Sequence, residues 1–116
     1  MNGLTYFELP SRDFDKAKAF YSEVFGWRCE LTPEKDYMMM NTMDGPNGGF
    51  SKDIDIHSKP GINIYLEVAD IEKTIAKAEK AGGKCLTGKT QISLEYGYYA
   101  FIEDLEGNKL GLWARN

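Results

Sequence analysis

Apolar and polar residues alternate at the start of the chain, and a helical spacing of apolar residues follows. Residues 4–9 have the mixed alternation that predicts a strand, which Pro10 ends. Ser11 or Asp13 can then cap a helix. One apolar stripe with helical spacing comes next: Phe14, Ala17, Phe20, Tyr21 and Val24. Because Gly26 is a typical helix stop, this stretch predicts a strand followed by an amphipathic helix.

The rest of the first half has the pattern of strands joined by turns. Residues 27–31 and 37–43 predict a hairpin around Thr32-Pro33-Glu34. Residues 44–48 form a dense turn signal, and a short strand is expected from residue 49 to about residue 52. A polar linker ending in Pro and Gly then separates this half from the next.

The same pattern restarts after the linker. Residues 62–68 predict a strand, Asp70 a helix cap, and Gly82-Gly83 a helix stop. Between cap and stop, helical spacing relates Ile71, Ile75 and Ala78. The remaining expected strands, separated by a turn at 104–108, are residues 84–86, 90–94, 98–102 and 109–113.

One offset relates the two halves. Asp13 and Asp70 are 70 − 13 = 57 positions apart, and Gly26 and Gly83 are 83 − 26 = 57 positions apart. Recurrence of cap and stop together predicts two βαβββ units. A unit of about 55 residues would be marginal alone. We therefore expect one pseudo-symmetric α+β domain over residues 1–116, with these parts: repeat 1 at about 1–53, a linker at about 54–61 and repeat 2 at about 62–116.

Composition narrows the possible partners. The chain has 116 residues, a net charge of −4 and dispersed basic residues, which argues against nucleic acid. No apolar run approaches the roughly 20 residues that cross a bilayer, and residues 1–9 carry no export signal. We therefore expect a cytoplasmic protein with no membrane partner, in which Cys29 and Cys85 are reduced thiols.

Three segments together resemble a known family. They are FELPSRDFDKAKAFYSEVFGW (7–27), INIYLEVADIEKTIAKAEKAGGK (62–84) and FIEDLEGNKLGLW (101–113). In this order they resemble the glyoxalase/bleomycin-resistance/extradiol dioxygenase group, the vicinal oxygen chelate (VOC) superfamily, although Leu105 replaces the usual turn proline. The resemblance implies that the two βαβββ repeats form a curled mixed-sheet cup with helices on its outer face, and that the protein is a homodimer.

The resemblance also implies where a metal would bind. Metal-dependent members place His, Gln or Glu at four cup-facing positions, and the ion acts as a Lewis acid. Those positions fall on Tyr6, on Asn63 57 residues later, on Gly111, and near Gly49 or Phe50. Because Tyr and Asn are poor ligands for a divalent ion and Gly offers none, we expect no metal site of this kind and no cofactor.

The cup would instead hold aromatic and polar side chains. Strand residues two apart share a face, so the residues expected to bind a ligand are Tyr6, Glu8, Asn63, Tyr65, Glu67, Lys109 and Trp113. An apolar concavity with a few polar groups is the usual form of a small-molecule site. Each residue also has a purely structural interpretation: Glu8 and Glu67 as solvated or hydrogen-bonded residues at strand ends, and the rings as core or dimer-interface residues.

Three functions remain open. The first, which we favour, is a metal-free protein that binds a small apolar or aromatic molecule. The second is a VOC-type enzyme, a lyase or isomerase, with Glu8 as base or with manganese or magnesium held by Glu8 and Glu67. The third is a dimeric interaction module with no small ligand. His57, the only histidine, lies in the linker, so a Ser-His or Cys-His nucleophile system is not expected.

Overall fold

The computed structural model describes residues 4–54 and 62–116, and the chain divides into two compact units, Met1–Ile56 and His57–Asn116. Unit 1 contains β1 (Tyr6–Pro10), α1 (Phe14–Phe25), β2 (Arg28–Leu31), β3 (Tyr37–Asn41) and β4 (Asn47–Ser51). Unit 2 contains β5 (Tyr65–Glu67), α2 (Ile71–Lys80), β6 (Lys84–Ser93), β7 (Gly97–Glu103) and β8 (Lys109–Ala114). Each unit is one βαβββ motif, and the fold class is α+β, as the sequence predicts.

The two sheets have equivalent strand orders. Each has four strands, in the order β1-β4-β3-β2 in unit 1 and β5-β8-β7-β6 in unit 2. The first strand of each unit pairs in parallel with the last, and this pairing places Glu8 opposite Gly49 and Tyr65 opposite Gly111. Glu8 and Tyr65 are 65 − 8 = 57 positions apart, so the repeat offset in the sequence recurs in the register of the sheets.

Both helices begin where the sequence predicts. The Asp13 carboxylate accepts a hydrogen bond from the Lys16 amide (3.1 Å), and Asp70 accepts one from the Lys73 amide (3.0 Å). These bonds satisfy amide groups that the first turn of a helix leaves without partners. Helix α1 ends at Gly26, whose left-handed φ of 72° suits glycine. Within the described residues, no helix is long and apolar enough to cross a membrane.

Each helix packs on one face of the sheet of its own unit. In unit 1 the Tyr21 side chain is fully buried, and its ring centroid lies 5.0 Å from that of Phe50 and 5.1 Å from that of Trp27. In unit 2 helix α2 packs against β6, β7 and β8, where Leu110 and Leu112 are buried. Because strand residues alternate between faces, Tyr65 and Trp113 lie on the opposite face of the unit 2 sheet, where Tyr65 is exposed and Trp113 is half-buried.

Several strand boundaries differ from the sequence-based expectation. Residues 84–86 and 90–94 were expected as separate extended runs, but β6 is continuous over Lys84–Ser93. Its pairing with β7 shifts register three times, which disrupts the two-residue periodicity. Strand β5 covers only Tyr65–Glu67, so Asn63 precedes it. Strand β4 begins at Asn47, inside the expected turn. The linker, apart from Ile54, and His57 within it lie outside the described residues.

Candidate functional site

The residues that the sequence singles out are divided between the two units. Tyr6 and Glu8 lie on the face of the unit 1 sheet opposite the core, and both side chains are exposed. The remaining five belong to unit 2: Asn63, Tyr65, Glu67, Lys109 and Trp113. Each unit therefore carries its own set of candidate side chains.

In unit 1, Tyr6 and Glu8 are joined through a residue that the sequence did not single out. The Tyr37 hydroxyl donates a hydrogen bond to Glu8 Oε2 (2.7 Å), and the Tyr6 and Tyr37 hydroxyl oxygens lie 2.7 Å apart. We call these three side chains the tyrosine–glutamate chain. The strand order explains why Tyr37 was missed, because β3 reaches β1 only across β4.

A glycine on the strand between them makes this contact possible. Gly49, on β4, lies opposite Glu8, and the Tyr37 ring lies over it. A Cβ atom at position 49 would overlap the hydroxyl and the ring of Tyr37. The absence of a side chain at Gly49 therefore lets Tyr37 reach from β3 to the carboxylate on β1.

The environment of Tyr37 keeps its proton in place. Desolvation raises the pKa of Tyr37 well above its usual range, and the hydrogen bonds to Tyr6 and Glu8 raise the pKa further. Ionisation would place a phenolate next to a carboxylate and would remove the proton that Tyr37 donates. Tyr37 therefore remains a neutral donor to Glu8 throughout the physiological pH range.

In unit 2 the face of the sheet opposite the core carries an apolar cleft of about 440 Å³. Tyr65, Ile92, Tyr99 and Trp113 line this aromatic cleft. The Trp113 indole Nε1 donates a hydrogen bond to the Tyr96 carbonyl oxygen (2.7 Å), which fixes the orientation of the indole ring. Because the polar atom of the indole has its partner, the rest of the ring is suited to apolar contact.

The sequence anticipated only part of the aromatic cleft. It predicted Tyr65 and Trp113 as ligand-binding residues, and both line the cleft. It did not single out Ile92 or Tyr99. The alternation of β7 could have indicated Tyr99, but the register shifts of β6 obscure the side on which Ile92 lies.

Charged groups lie beside the aromatic rings of unit 2. The Lys109 ammonium is 4.2 Å from the centroid of the Phe101 ring, and the Arg115 guanidinium is 5.3 Å from that of Trp113. Glu67 lies opposite Trp113 in the register of β5 and β8. Asn63 is exposed and lies outside the sheet. Of the predicted polar residues of unit 2, none lines the aromatic cleft, which is bounded by apolar side chains.

The residues at the four metal positions do not fit a divalent ion. Phe50 is fully buried on the core side of its strand, so the fourth position falls on Gly49, the register equivalent of Gly111. Neither glycine offers a ligand atom, and a Cβ at these positions would overlap Tyr37 or Tyr65 respectively. Across residues 4–54 and 62–116, no three His, Cys, Asp or Glu side chains form a group that could hold a metal. We therefore derive no chemistry through a metal.

Neither cysteine lines the aromatic cleft or takes part in the tyrosine–glutamate chain. Cys29 is buried and free, and desolvation raises the pKa of its thiol. Cys85 is half-buried and free. A thiol with a raised pKa is a weak nucleophile, since the thiolate is the reactive form.

Comparison with known proteins agrees with this architecture. The chain is 30% identical to a glyoxylase-like domain-containing protein of Didymella fabae, over 93% of this chain and 90% of that protein. Its fold is similar to that of a glyoxalase/bleomycin resistance protein/dioxygenase family enzyme from Burkholderia phytofirmans PsJN, with a TM-score of 0.78, 19% identity, and coverage of 97% of this chain and 98% of that one.

A longer relative shows the same fold in part of its chain. A V278E mutant of glyoxalase I from Zea mays has a TM-score of 0.71 and 18% identity, over 97% of this chain and 46% of that one. The chain therefore spans about half the length of that enzyme. The sequence model of the Glyoxalase/Bleomycin resistance protein/Dioxygenase superfamily matches residues 3–112. The chain thus belongs to the glyoxalase/bleomycin resistance protein/dioxygenase superfamily.

Proposed function

We propose that the chain binds a small, flat, apolar or aromatic molecule in the aromatic cleft of unit 2, without a metal ion. The observation that carries this proposal is the cleft of about 440 Å³ lined by Tyr65, Ile92, Tyr99 and Trp113. Its volume falls within the roughly 300–1,000 Å³ of known small-molecule sites, which are also mainly apolar. The three rings suit a flat ligand, because aromatic faces and edges attract each other beyond simple area burial.

The exposure of the lining supports the same proposal. Tyr65 is 51% exposed and Ile92 is 48% exposed, although both are large apolar side chains. A contiguous exposed apolar surface on a small domain marks a site of interaction. A ligand that covered these side chains would remove their apolar area from water, which favours binding by about 25 cal/mol per Å².

The donor set supports a metal-free mode of binding. The equivalent positions Gly49 and Gly111 supply no ligand atoms, and tyrosine rings lie over both. Hard divalent ions such as Mg²⁺ prefer carboxylate and other oxygen ligands, and Zn²⁺ or Ni²⁺ also takes imidazole, whereas these two positions carry no side-chain ligand. Contact and ring orientation, rather than coordination, would therefore hold the ligand.

The indole N–H signals of the two tryptophans provide a direct test of binding. Trp113 lines the cleft, whereas Trp27 is 6% exposed in the core of unit 1. In nitrogen-15 NMR spectra, with signals assigned using Trp27→Phe, indole should shift the Trp113 signal saturably and leave the Trp27 signal in place. Equal shifts of both signals, or no saturable shift, would contradict the proposal.

A pair of variants on β6 locates the site. Ile92→Ala should weaken indole binding about fivefold, because it removes roughly 1 kcal/mol of apolar contact. Leu86→Ala is the matched control: Leu86 lies on the same strand and is 44% exposed, against 48% for Ile92, but does not line the cleft. A similar loss of affinity in both variants would indicate nonspecific apolar binding.

The proposal includes a homodimer, as the family resemblance implies. The exposed apolar side chains Ile62 (94% exposed) and Leu94 (95% exposed) are available for a subunit contact. Light scattering coupled to gel filtration should give twice the 13.1 kDa mass of one chain. A mass of one chain at micromolar concentration would contradict this part of the proposal.

A further inference from the structure

The tyrosine–glutamate chain of unit 1 plays no part in the proposed function, and its hydrogen bonds have a direction. A tyrosine hydroxyl carries one proton and can accept further hydrogen bonds. Tyr37 uses its proton to donate to Glu8, so the hydrogen bond between the two hydroxyls must be donated by Tyr6. With its only proton committed, the Tyr6 oxygen has acceptor capacity alone to offer a further partner.

The Tyr6 hydroxyl, at the acceptor end of the tyrosine–glutamate chain, is accessible to solvent. Tyr6 is 42% exposed, on the face of the sheet opposite the core. Among the described residues, the Tyr6 hydroxyl forms its hydrogen bond with Tyr37. Aligned hydrogen bonds polarise one another, so the bond to the Glu8 carboxylate makes the distant Tyr6 oxygen a better acceptor.

We propose that unit 1 carries a second ligand site, in which the Tyr6 hydroxyl oxygen accepts a hydrogen bond from a primary ammonium group, with the negative charge of Glu8 behind it. This site is built from residues of unit 1, whereas the aromatic cleft is built from residues of unit 2, and it goes beyond the proposed function. Its ligands are primary amines in their protonated form.

Charge favours an ammonium group over a neutral donor. The Tyr6 oxygen is two hydrogen bonds of 2.7 Å from the Glu8 carboxylate, and charge-assisted hydrogen bonds are about twice as strong as neutral ones. Among the strand residues of this face, the other charged ones are Arg28 and Glu30, which lie on β2, three strands from β1. At about 4.8 Å per strand they are roughly 14 Å away, and their opposite signs offset each other.

The tyrosine–glutamate chain is ordered before any ligand binds. The Tyr37 ring occupies the space over Gly49, so its hydroxyl is directed between Tyr6 and Glu8. A preorganised acceptor loses little conformational entropy when a ligand binds. Gly49 therefore determines the specificity of this site indirectly, by leaving room for the ring that orders the chain.

The test uses n-butylammonium chloride, with 1-butanol and sodium butyrate as probes of equal chain length. Tyrosine labelled with carbon-13 at Cζ reports on Tyr6 and Tyr37 separately in NMR spectra of the intact protein. We expect butylammonium to shift the Tyr6 signal saturably and to bind about tenfold more tightly than butanol. Butyrate should produce no saturable shift. Equal binding of butyrate or butanol, or no saturable shift with butylammonium, would overturn the proposal.

Three variants separate the site from general charge attraction. Glu8→Gln keeps the shape of the side chain and should abolish the preference for butylammonium over butanol. Tyr37→Phe keeps the ring but removes the hydroxyl that links Tyr6 to Glu8. It should lower butylammonium affinity about tenfold. Tyr98→Phe, on β7 of unit 2 and outside the lining of the aromatic cleft, is the control and should have no effect.

Unchanged butylammonium affinity in Glu8→Gln would overturn the proposal even if Tyr37→Phe failed to fold, since Glu8 is exposed. The test of the ammonium site can also be distinguished from the test of the aromatic cleft. Indole binding is followed at Trp113 in unit 2, and butylammonium binding at Tyr6 in unit 1, so either site can fail while the other holds.

Discussion

The two units place a glycine at the same point of the same strand order, yet the faces around these glycines differ chemically. Gly49 lies opposite Glu8, and Gly111 lies opposite Tyr65. In unit 1 the ring over the glycine is that of Tyr37 on β3, and its hydroxyl is hydrogen-bonded to Tyr6 and Glu8. In unit 2 the ring over the glycine is that of Tyr65 itself, and it borders an aromatic cleft. The residue opposite the glycine differs in the same way: it is a carboxylate, Glu8, in unit 1 and a phenol, Tyr65, in unit 2.

This difference shows how the same glycine position can be followed by two different surfaces. Two of the four positions that the family resemblance assigns to metal ligands, Gly49 and Gly111, are glycines here, and each leaves room for a tyrosine ring. Once the ring is there, a larger residue at the glycine would require it to move. The two glycines therefore help to shape the polar face of unit 1 and the aromatic cleft of unit 2.

The largest expected effect is that of a substitution at Gly48, which would disturb the sheet of unit 1 but not that of unit 2. A Cβ at Gly48 would overlap the backbone carbonyl oxygen of Phe7 on β1, which cannot move without disturbing the parallel pairing. Gly48→Ala should therefore lower the free energy of unfolding by about 3 kcal/mol in urea denaturation. Gly88→Ala is the control, because a Cβ at Gly88 meets nothing within 4 Å. Equal stability of the two variants would contradict the strand pairing.

The helix caps should have matching effects in the two units. Asp13 and Asp70 accept equivalent hydrogen bonds at 3.1 and 3.0 Å. Asp13→Ala and Asp70→Ala should each reduce the free energy of unfolding by about 1 kcal/mol. Thermal or urea denaturation checks this, with Asp13→Asn and Asp70→Asn as variants that retain a capping oxygen. A neutral result for one cap alone would show that the repeats are not energetically equivalent.

The phenol hydroxyls should distinguish the two rings that lie over glycines. Tyr37→Phe removes two hydrogen bonds on an exposed face and should cost about 0.5–1 kcal/mol of stability. Tyr65→Phe should change stability by less than about 0.5 kcal/mol, since surface changes without a lost partner are usually that small. The comparison uses urea denaturation at neutral pH. A larger loss of stability from Tyr65→Phe than from Tyr37→Phe would contradict the description of the unit 1 face as polar and the unit 2 face as apolar.

The smallest predicted effect appears at alkaline pH. Desolvation and the hydrogen bonds raise the pKa of Tyr37 in the folded state, while an unfolded tyrosine titrates near pH 10. The unfolded chain therefore loses this proton first, and the stabilisation present below about pH 10 declines as the pH rises further. Tyr37→Phe should have a shallower decline of stability between about pH 10 and 11 than the unsubstituted protein. Identical slopes would contradict the raised pKa.

Local signals in the sequence predicted most of the fold. The caps at Asp13 and Asp70 and the stop at Gly26 are confirmed because capping depends on neighbouring residues. The offset of 57 recurs in the pairing of β1 and β5 with their parallel partners, but it fails for the later strands, where Gly49 and Gly111 are 111 − 49 = 62 apart. Because of this change of offset, the repeat in the sequence does not decide whether the fourth metal position is Gly49 or Phe50.

The candidate site was less predictable because it depends on long-range pairing. The faces of Tyr6, Glu8, Tyr65 and Trp113 follow from strand alternation alone. The contact between Tyr37 and Glu8 requires the strand order, in which β4 separates β1 from β3. Ile92 enters the cleft from a strand with irregular register. Side chains brought together by non-adjacent strands or by bulges leave no periodic signal in the sequence.

The central claim is that the aromatic cleft binds its ligand without a metal ion. The most direct test is an indole titration, followed at the Trp113 indole N–H signal, in EDTA and then with Mg²⁺, Mn²⁺, Ni²⁺ or Zn²⁺ in excess. We predict the same affinity in every condition, and a melting temperature that no ion raises, because a ligand stabilises a fold only by binding it. Indole binding that required an ion, or stoichiometric metal with a higher melting temperature, would contradict the claim.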